Sequence, residues 1–317
     1  MTAYIIRRLI GAAIVLALLS VIVFSVIRAM PGSALLVKLG ETGRIPEEQM
    51  DELRAEMGLD DPIVVQYVDW ISGVVIADFG DSLIYDGRDV LNSIGQALPV
   101  TLQLAATSML VGLAIGISFG ILSAVFRGSV IDYAARIIGI FGISAPIFWV
   151  ALVLILYGAL WFNFSVNKPY QYLWDDPLAN LRVHIFPSLV LGLNLGAVIM
   201  RYTRSAMLEV LRQDYMRTAT AKGLASRAVV IQHGLRNALI PILTLVGTQF
   251  AFLLSGTVII EIIFRYPGLG KLTFDAILQR DYTVIQGATL IIGAMVILTN
   301  LLVDLAYGVL DPRVRYS

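Results

Sequence analysis

Long uncharged runs alternate with short charged segments along this chain of 317 residues. A run of about 18 residues without Asp, Glu, Lys or Arg can cross the roughly 30 Å hydrocarbon core of a bilayer as a helix. Six runs qualify: 9–27, 90–126, 137–167, 183–200, 237–260 and 282–303. Backbone polar groups find no water in lipid, so runs of this length and continuity are expected to be helices. The pattern predicts an all-α integral membrane protein with a six-transmembrane-helix bundle.

The predicted spans divide the chain into four parts. These are an N-terminal transmembrane helix at 1–30, an extracytoplasmic helical insertion at 31–89, a transmembrane core at 90–303, and a cytoplasmic tail at 304–317. Arg7 and Arg8 before an apolar run are also typical of a secretory signal. The run 9–27 exceeds the about 7–15 apolar residues of a signal, so we expect a retained helix.

The insertion is too polar to span a membrane and carries two helix signatures. In the first, Pro46 suits the first helical turn and Gly58 ends the pattern. In the second, Asp61 is the expected N-cap of an amphipathic helix, in which Tyr67 and Trp70 suit the headgroup region. We interpret the insertion as a small external cap over the bundle, with a separate binding domain as the alternative.

Basic residues are unevenly distributed between the connecting segments. The segment 201–236 contains seven basic and two acidic residues and is the longest connection on its side of the predicted bundle. Arginine and lysine are enriched in cytoplasmic loops. Both termini and the segment 201–236 are therefore placed in the cytoplasm.

This cytoplasmic loop predicts two helices with one break. Residues 208–222 lack Gly and Pro, Gly223 suits the position after a helix C-terminus, and Ser226 suits the N-cap of the next helix. Such a hairpin could enter a groove on another protein. The alternative is an amphipathic hairpin that lies on anionic lipid.

Composition excludes several classes of function. Only 15% of the residues are charged, against about 25% in a typical soluble domain, and the 23 basic residues balance the 23 acidic residues. This balance argues against a nucleic-acid-binding protein, which typically carries an excess of basic residues. Without cysteine and with only His184 and His233, the chain offers no thiolate chemistry and no multi-histidine metal site. We expect neither a metal nor a cofactor in this chain.

One motif resembles that of a serine hydrolase. Gly116, Ser118 and Gly120 match G-x-S-x-G, so an intramembrane serine protease is a distant alternative. The predicted topology keeps both histidines away from Ser118, where a catalytic base is needed. We instead expect the glycines at 112, 116 and 120 to form a small-residue ridge for helix packing.

Polar residues within the spans are few and neutral. Candidates for a translocation path are Gln103, Ser144, Asn194 and Gln249, although such residues also bond neighbouring helices. The spans contain no carboxylate, which argues against an ion-driven carrier. A channel or carrier working alone stays an alternative, but a path without its own energy source should take energy from a partner.

At the cytoplasmic loop, the run DYMRTATAKGL at 214–224 resembles the ATPase-contacting loop of binding-protein-dependent ABC importer permeases. The resemblance covers nearly the whole chain and is closest to the first of the two paired permeases of the dipeptide and oligopeptide branch. Other motifs that carry it are MPGS at 30–33, MGLDDP at 57–62, DFGDS at 78–82, LPVTL at 98–102, SAPIFW at 144–149, EIIFRYPGLG at 261–270, DY at 281–282 and LDPR at 310–313. The glutamate and first alanine of the general importer signature are replaced here by Arg217 and Thr218.

The resemblance implies a type I importer permease that is not itself an enzyme. It would form, with a second homologous permease, a path for di- and oligopeptides by alternating access in the bacterial plasma (inner) membrane. A binding protein would deliver the substrate, and two ATPase subunits would hold ATP and Mg²⁺. It further implies an ATPase-coupling loop of Asp214, Ala219, Ala221, Lys222, Gly223 and Leu224, and an extracytoplasmic gate of Glu261, Phe264, Pro267 and Gly268. Relatives of this shape also move nickel chelates, glutathione or peptide-like antibiotics, and these substrates stay open.

Overall fold

The structure is a computed structural model that describes residues 2–29, 60–85, 87–166 and 168–310. In these ranges the chain is helical, apart from loops and one isolated bridge between Asp81 and Asp89. The helices are α1 Thr2–Ala29, α2 Ile63–Val75, α3 Val90–Val125, α4 Val130–Ser144, α5 Ile147–Phe162, α6 Pro177–Leu211, α7 Asp214–Ala221, α8 Ser226–Ala228, α9 Arg236–Gly256, α10 Val258–Ile263, α11 Leu269–Gln279 and α12 Tyr282–Leu310. A π-helical segment, Val229–Leu235, joins α8 to α9.

Four helices are individually long and apolar enough to span a membrane: α1, α3, α6 and α12. The number rises to six if two bent helix pairs each count as one span. This agrees with the predicted all-α bundle. The observed bounds differ from the predicted runs, since α1 begins before residue 9, α6 begins before residue 183, and α12 continues past residue 303 into the predicted tail.

The predicted span 137–167 is not one helix. It is divided between α4 and α5, whose axes differ by 104°. Ala145 lies between them in an extended conformation, with φ −71° and ψ 126°, and the next residue is Pro146. Proline disfavours helical backbone at the residue before it, which explains the break.

The described residues form two compact units. The first comprises those of Met1–Thr101 and Pro267–Leu301, and the second those of Leu102–Tyr266 and Leu302–Ser317. The predicted core at 90–303 coincides with neither unit, because the unit boundaries fall within α3 and α12.

In the first unit, α2 packs against α1 through aromatic side chains. The ring of Phe24 lies 5.5 Å from Tyr67 and 5.8 Å from Trp70, and the Tyr67 hydroxyl lies 2.8 Å from Ser20 Oγ. The expected N-cap is wrong, because Pro62 occupies that position and no side chain caps the helix. The helix predicted near residues 46–58 lies outside the described residues.

In the second unit, α3 and α6 approach closely along their glycines. A Cβ atom added at Gly116 would lie 2.5 Å from Ile199 Cβ, and one added at Gly120 would lie 2.6 Å from Thr203 Cβ. Gly192 of α6 faces Val111 in the same way. The contacts confirm the predicted small-residue ridge, which brings the backbones together where larger residues would hold them apart.

Candidate functional site

The predicted coupling loop forms a short projecting structure that we call the α7 turn, residues 214–224. The helix α6 ends at Leu211, and α7 follows after Arg212 and Gln213, so the helix predicted over 208–222 is interrupted. At its far end the backbone turns at Gly223, whose φ of +79° lies in the left-handed region. A glycine adopts this conformation without the steric cost that other residues incur.

One face of α7 is buried and the other is exposed. Met216 and Ala219 pack with Val229 of the π-helical segment, which anchors α7 to the rest of the unit. The exposed residues include Asp214, Ala221, Lys222, Gly223 and Leu224. The α7 turn therefore presents a thin tip on a packed base, as a docking element requires.

The chain beyond the turn differs from the prediction. Ala225 occupies the N-cap position of α8, so Ser226 is not the cap. The π-helical segment that follows was not predicted. Its Gly234 lies where an added Cβ would meet the side chains of Met207 and Met216, at 3.4 Å and 3.5 Å. The segment thus packs closely on both α6 and α7, and nothing in its local sequence pattern distinguishes it from an ordinary helix.

Two of the predicted gate residues, Glu261 and Phe264, lie in the second unit and are buried. The Thr257 hydroxyl donates to Glu261 Oε1 at 2.9 Å, and the Tyr266 amide donates to the Glu261 carbonyl at 2.7 Å. The ring of Phe264 meets the edge of Phe164 at 6.2 Å. These contacts link α10 to the residues on either side of it and to Phe164.

A buried polar network, which sequence reasoning missed, begins at Tyr266. Its hydroxyl is hydrogen-bonded to Nδ1 of His184, whose Nε2 lies 2.6 Å from Thr107 Oγ1. The same threonine oxygen lies 2.9 Å from Ser188 Oγ. Burial raises the pKa of Tyr266, so its phenol stays neutral. The network ties the residues after α10 to both α3 and α6.

Gln103, a predicted path residue, takes part in a neighbouring set of hydrogen bonds. Its Nε2 donates to Asn180 Oδ1 at 2.6 Å, and its Oε1 accepts from the Tyr170 hydroxyl at 2.9 Å. Asn180 also donates to the Gln171 carbonyl at 2.7 Å. The Gln103 amide thus helps to hold the connection between α5 and α6.

The other predicted path residues lie in different surroundings. Asn194 of α6 donates to the Gly142 carbonyl of α4 at 2.9 Å. Ser144 lines a cavity between α4 and α6, and Gln249 is partly exposed on α9. The assignment of these residues to a translocation path stays a prediction.

The remaining gate residues, Pro267 and Gly268, lie in the first unit. Pro267 is exposed, whereas Gly268 is buried at the N-cap of α11. The next amide, that of Leu269, donates to Thr101 Oγ1 at 2.8 Å. In the same unit the Ser82 hydroxyl donates to the buried Asp281 carboxylate at 2.5 Å. Hydrogen bonds therefore join two pairs of motifs that are distant in sequence.

The arrangement around Ser118 does not support a hydrolase. Ser118 is exposed on α3, whereas both ring nitrogens of His184 are bonded to Thr107 and Tyr266. Thr107 precedes Ser118 by three helical turns, or about 16 Å along the helix axis. Among the described residues, no group of three or more His, Cys, Asp or Glu side chains could hold a metal ion.

The helices and the exposed α7 turn define a multi-span membrane protein, and the comparisons identify its family. The family model described as "Binding-protein-dependent transport system inner membrane component" matches residues 116–316, and a companion N-terminal model of such systems matches residues 1–105. The chain belongs to this family of ABC importer permeases and is an inner membrane component.

Several curated relatives match over nearly their full length. The probable peptide ABC transporter permease y4tP of Sinorhizobium fredii is 38% identical, and all of each chain is covered. The dipeptide transport permease DppB of Escherichia coli is 39% identical, with 94% of each chain covered. A putative peptide permease of Brucella suis is 39% identical, with 98% of each chain covered.

Solved structures share the fold at lower identity. An inward-facing MetNI methionine ABC transporter matches with a TM-score of 0.55 and 19% identity, covering 69% of this chain and 96% of that one. An amino acid ABC transporter with histidines gives a TM-score of 0.52 and 18% identity, covering 68% and 92%. The fold is therefore that of the type I importer permeases.

Proposed function

We propose that this permease forms, together with a second homologous permease, the translocation path for di- and oligopeptides delivered by an extracytoplasmic binding protein. The observation that carries the proposal is the α7 turn, with its buried base of Met216 and Ala219 and its exposed tip at Gly223. A permease of this family needs an element that receives mechanical work from ATPase subunits. The tip has the exposure and the firm attachment for that role.

The proposed orientation places both termini and the α7 turn in the cytoplasm. The support is the concentration of basic residues in 201–236. In this orientation the network around His184 and Tyr266 lies near the outer face. The gate residues Glu261 and Phe264 are close in sequence to that network and belong to the same unit.

The length of α6 supports a mechanism of alternating access. The helix has 35 residues, or about 52 Å at 1.5 Å per residue, and runs from the outer network to the base of the α7 turn. Closure of two partner ATPase subunits would push on the tip at Gly223. Because α6 is continuous and packs closely on α3, it would transmit that displacement within the second unit to Glu261 and Phe264 as a rigid-body motion.

The relatives y4tP and DppB are named as a peptide permease and a dipeptide permease, which supports a peptide as the substrate of this chain. A neutral polar side chain such as that of Gln249 suits a path that passes a peptide backbone without holding it tightly. A nickel chelate, glutathione or a peptide-like antibiotic would use the same architecture, and the experiment below distinguishes them.

A pull-down of the tagged chain from its native membrane in mild detergent tests the proposal. We expect a second permease and ATPase subunits to copurify, and ATP hydrolysis to rise when di- to hexapeptides and the cognate binding protein are added. If the partners copurify but peptides do not stimulate ATP hydrolysis, the peptide substrate is contradicted and the role as an importer permease is not. A chain that purifies alone would contradict the coupling role of the α7 turn.

A further inference from the structure

Three arginines line a cavity at the proposed cytoplasmic end of the second unit. The cavity has a volume of about 290 Å³ and lies between α3, α4 and α6. Arg136, Arg201 and Arg204 contribute its basic groups, and Ser144 and Ser205 add hydroxyls. The cavity therefore combines positive charge with hydrogen-bond donors at the depth where a lipid headgroup would lie in the proposed orientation.

Only one of these positive charges is neutralised by close pairing. The Asp132 carboxylate accepts from Arg204 Nε at 2.9 Å and also from Ser123 Oγ at 2.7 Å. Arg136 Nε lies farther from the same carboxylate, at 3.6 Å, and Arg201 lies over the ring of Tyr202. In the part of the chain that the structure describes, the only carboxylate that forms an ion pair with any of these three guanidinium groups is that of Asp132, which leaves an excess of two positive charges.

A second, apolar cavity adjoins the first. It has a volume of about 300 Å³, occupies the angle of the 104° bend between α4 and α5, and shares Ala135 and Met200 with the basic cavity. Its lining is apolar apart from Asn194, whose amide donates to the Gly142 carbonyl. The space suits a hydrocarbon chain and not a hydrated ion.

We propose that the two cavities together bind one anionic phospholipid of the inner leaflet. Its phosphodiester lies between Arg136 and Arg201, and part of an acyl chain lies in the bend beside Met200. Charge complementarity selects an anionic headgroup, because a zwitterionic headgroup brings no net negative charge to the arginines. The apolar cavity that adjoins the basic cavity at Ala135 and Met200 selects a lipid over free phosphate. The proposal rests on the orientation given above but not on the identity of the transported substrate.

Native mass spectrometry of the delipidated complex tests this site. The complex in maltoside detergent is titrated with dioleoyl phosphatidylglycerol, dioleoyl phosphatidylcholine or inorganic phosphate. We expect one phosphatidylglycerol to bind about tenfold more tightly than phosphatidylcholine, since each basic residue near a membrane surface contributes favourably to anionic lipid binding. Inorganic phosphate at the same concentration should not displace it.

The test variant is the double substitution R136Q/R201Q, which leaves the Asp132–Arg204 pair in place. The matched control is R127Q/R212Q, which removes two exposed arginines that do not line the cavity. The first variant should lose the preference for phosphatidylglycerol and the control should keep it. If the first variant fails to assemble, S205E provides a second test, because an added carboxylate at the cavity should repel the phosphodiester.

Three results would overturn the proposal. Equal binding of phosphatidylglycerol and phosphatidylcholine would show that the cavity does not select an anionic lipid. An equal loss of preference in the control variant would show that general surface charge, and not this cavity, causes the preference. Displacement of bound phosphatidylglycerol by a transported peptide would assign the cavity to the translocation path. Peptide-stimulated ATP hydrolysis, measured on the same samples, reports separately on the proposed function.

Discussion

The carboxylate of Asp132 accepts two hydrogen bonds from the guanidinium of Arg204, at 2.9 Å from Nε and 3.1 Å from a terminal nitrogen. The aspartate is 1% exposed and also accepts from Ser123 Oγ and the Gly128 amide. One buried carboxylate thus joins the C-terminal part of α3, the following turn, the first turn of α4, and α6. The helices α3, α4 and α6 also line the basic cavity.

The first prediction concerns this ion pair. D132N should lower the free energy of unfolding by about 3 kcal/mol, because it leaves the Arg204 guanidinium partly buried without its counter-charge. The measurement is unfolding of the purified chain in mixed micelles of SDS and maltoside. D214N is the control, since Asp214 is 97% exposed, and should change the value little. Equal effects of the two substitutions would contradict the structural role of Asp132.

The second prediction tests the close packing of α3 on α6. G116A places a Cβ 2.5 Å from Ile199 Cβ and 2.9 Å from the Gly196 carbonyl, so the helices must move apart. We expect a lower midpoint of thermal unfolding for G116A. In the same helix, a Cβ at Gly95 meets nothing within 4 Å, so G95A should not lower the midpoint and should raise it slightly, because alanine favours a helix over glycine. S118A should not affect uptake, because no catalytic role is assigned to Ser118.

The third prediction concerns the tip of the α7 turn. G223V forces a β-branched residue into a left-handed conformation, at a cost of about 1–2 kcal/mol, and should keep the complex assembled but uncouple ATP hydrolysis from uptake. G87V is the matched control, because Gly87 has φ +70° and, like Gly223, nothing within 4 Å of an added Cβ. Uptake and hydrolysis are measured on both. Full uptake by G223V would contradict the coupling role.

The fourth prediction concerns the buried network at His184. T107V keeps the shape of the side chain but removes the hydroxyl that lies 2.6 Å from His184 Nε2 and 2.9 Å from Ser188 Oγ. A buried polar group left without its partner costs about 1–3 kcal/mol, so unfolding should become easier by that amount. T248V is the control, because the exposed Thr248 hydroxyl bonds only within its own helix. Identical free energies of unfolding for T107V and the unsubstituted chain would contradict a stabilising role for this network.

Much of the fold could be predicted from the sequence, because long uncharged runs and glycine spacing are local signals. The left-handed turn at Gly223 and the glycine ridge on α3 follow from single residue types whose geometry is known in advance. The break at Ala145 could also have been found, since Pro146 disfavours helix at the preceding residue. The run 137–167 instead suggested one span because it contains no charge.

Other features depend on contacts between residues distant in sequence and left no local signal. Asp132 and Arg204 are 72 positions apart, and each alone resembles an ordinary loop charge. The same holds for His184 and Tyr266, which are 82 positions apart. The π-helical segment Val229–Leu235 is stabilised by packing on Met207 and Met216, which periodicity does not reveal. The sequence alone therefore could not predict which residues of different helices pair with one another.

ATP-driven uptake into proteoliposomes tests the central claim most directly. The vesicles would contain this chain, its copurifying permease and the ATPase subunits, with ATP inside and the binding protein and a labelled dipeptide outside. We expect accumulation of the dipeptide that requires enclosed ATP and is lost when this chain is omitted. Uptake without ATP, or equal uptake without this chain, would contradict its role as the permease of an ATP-driven importer.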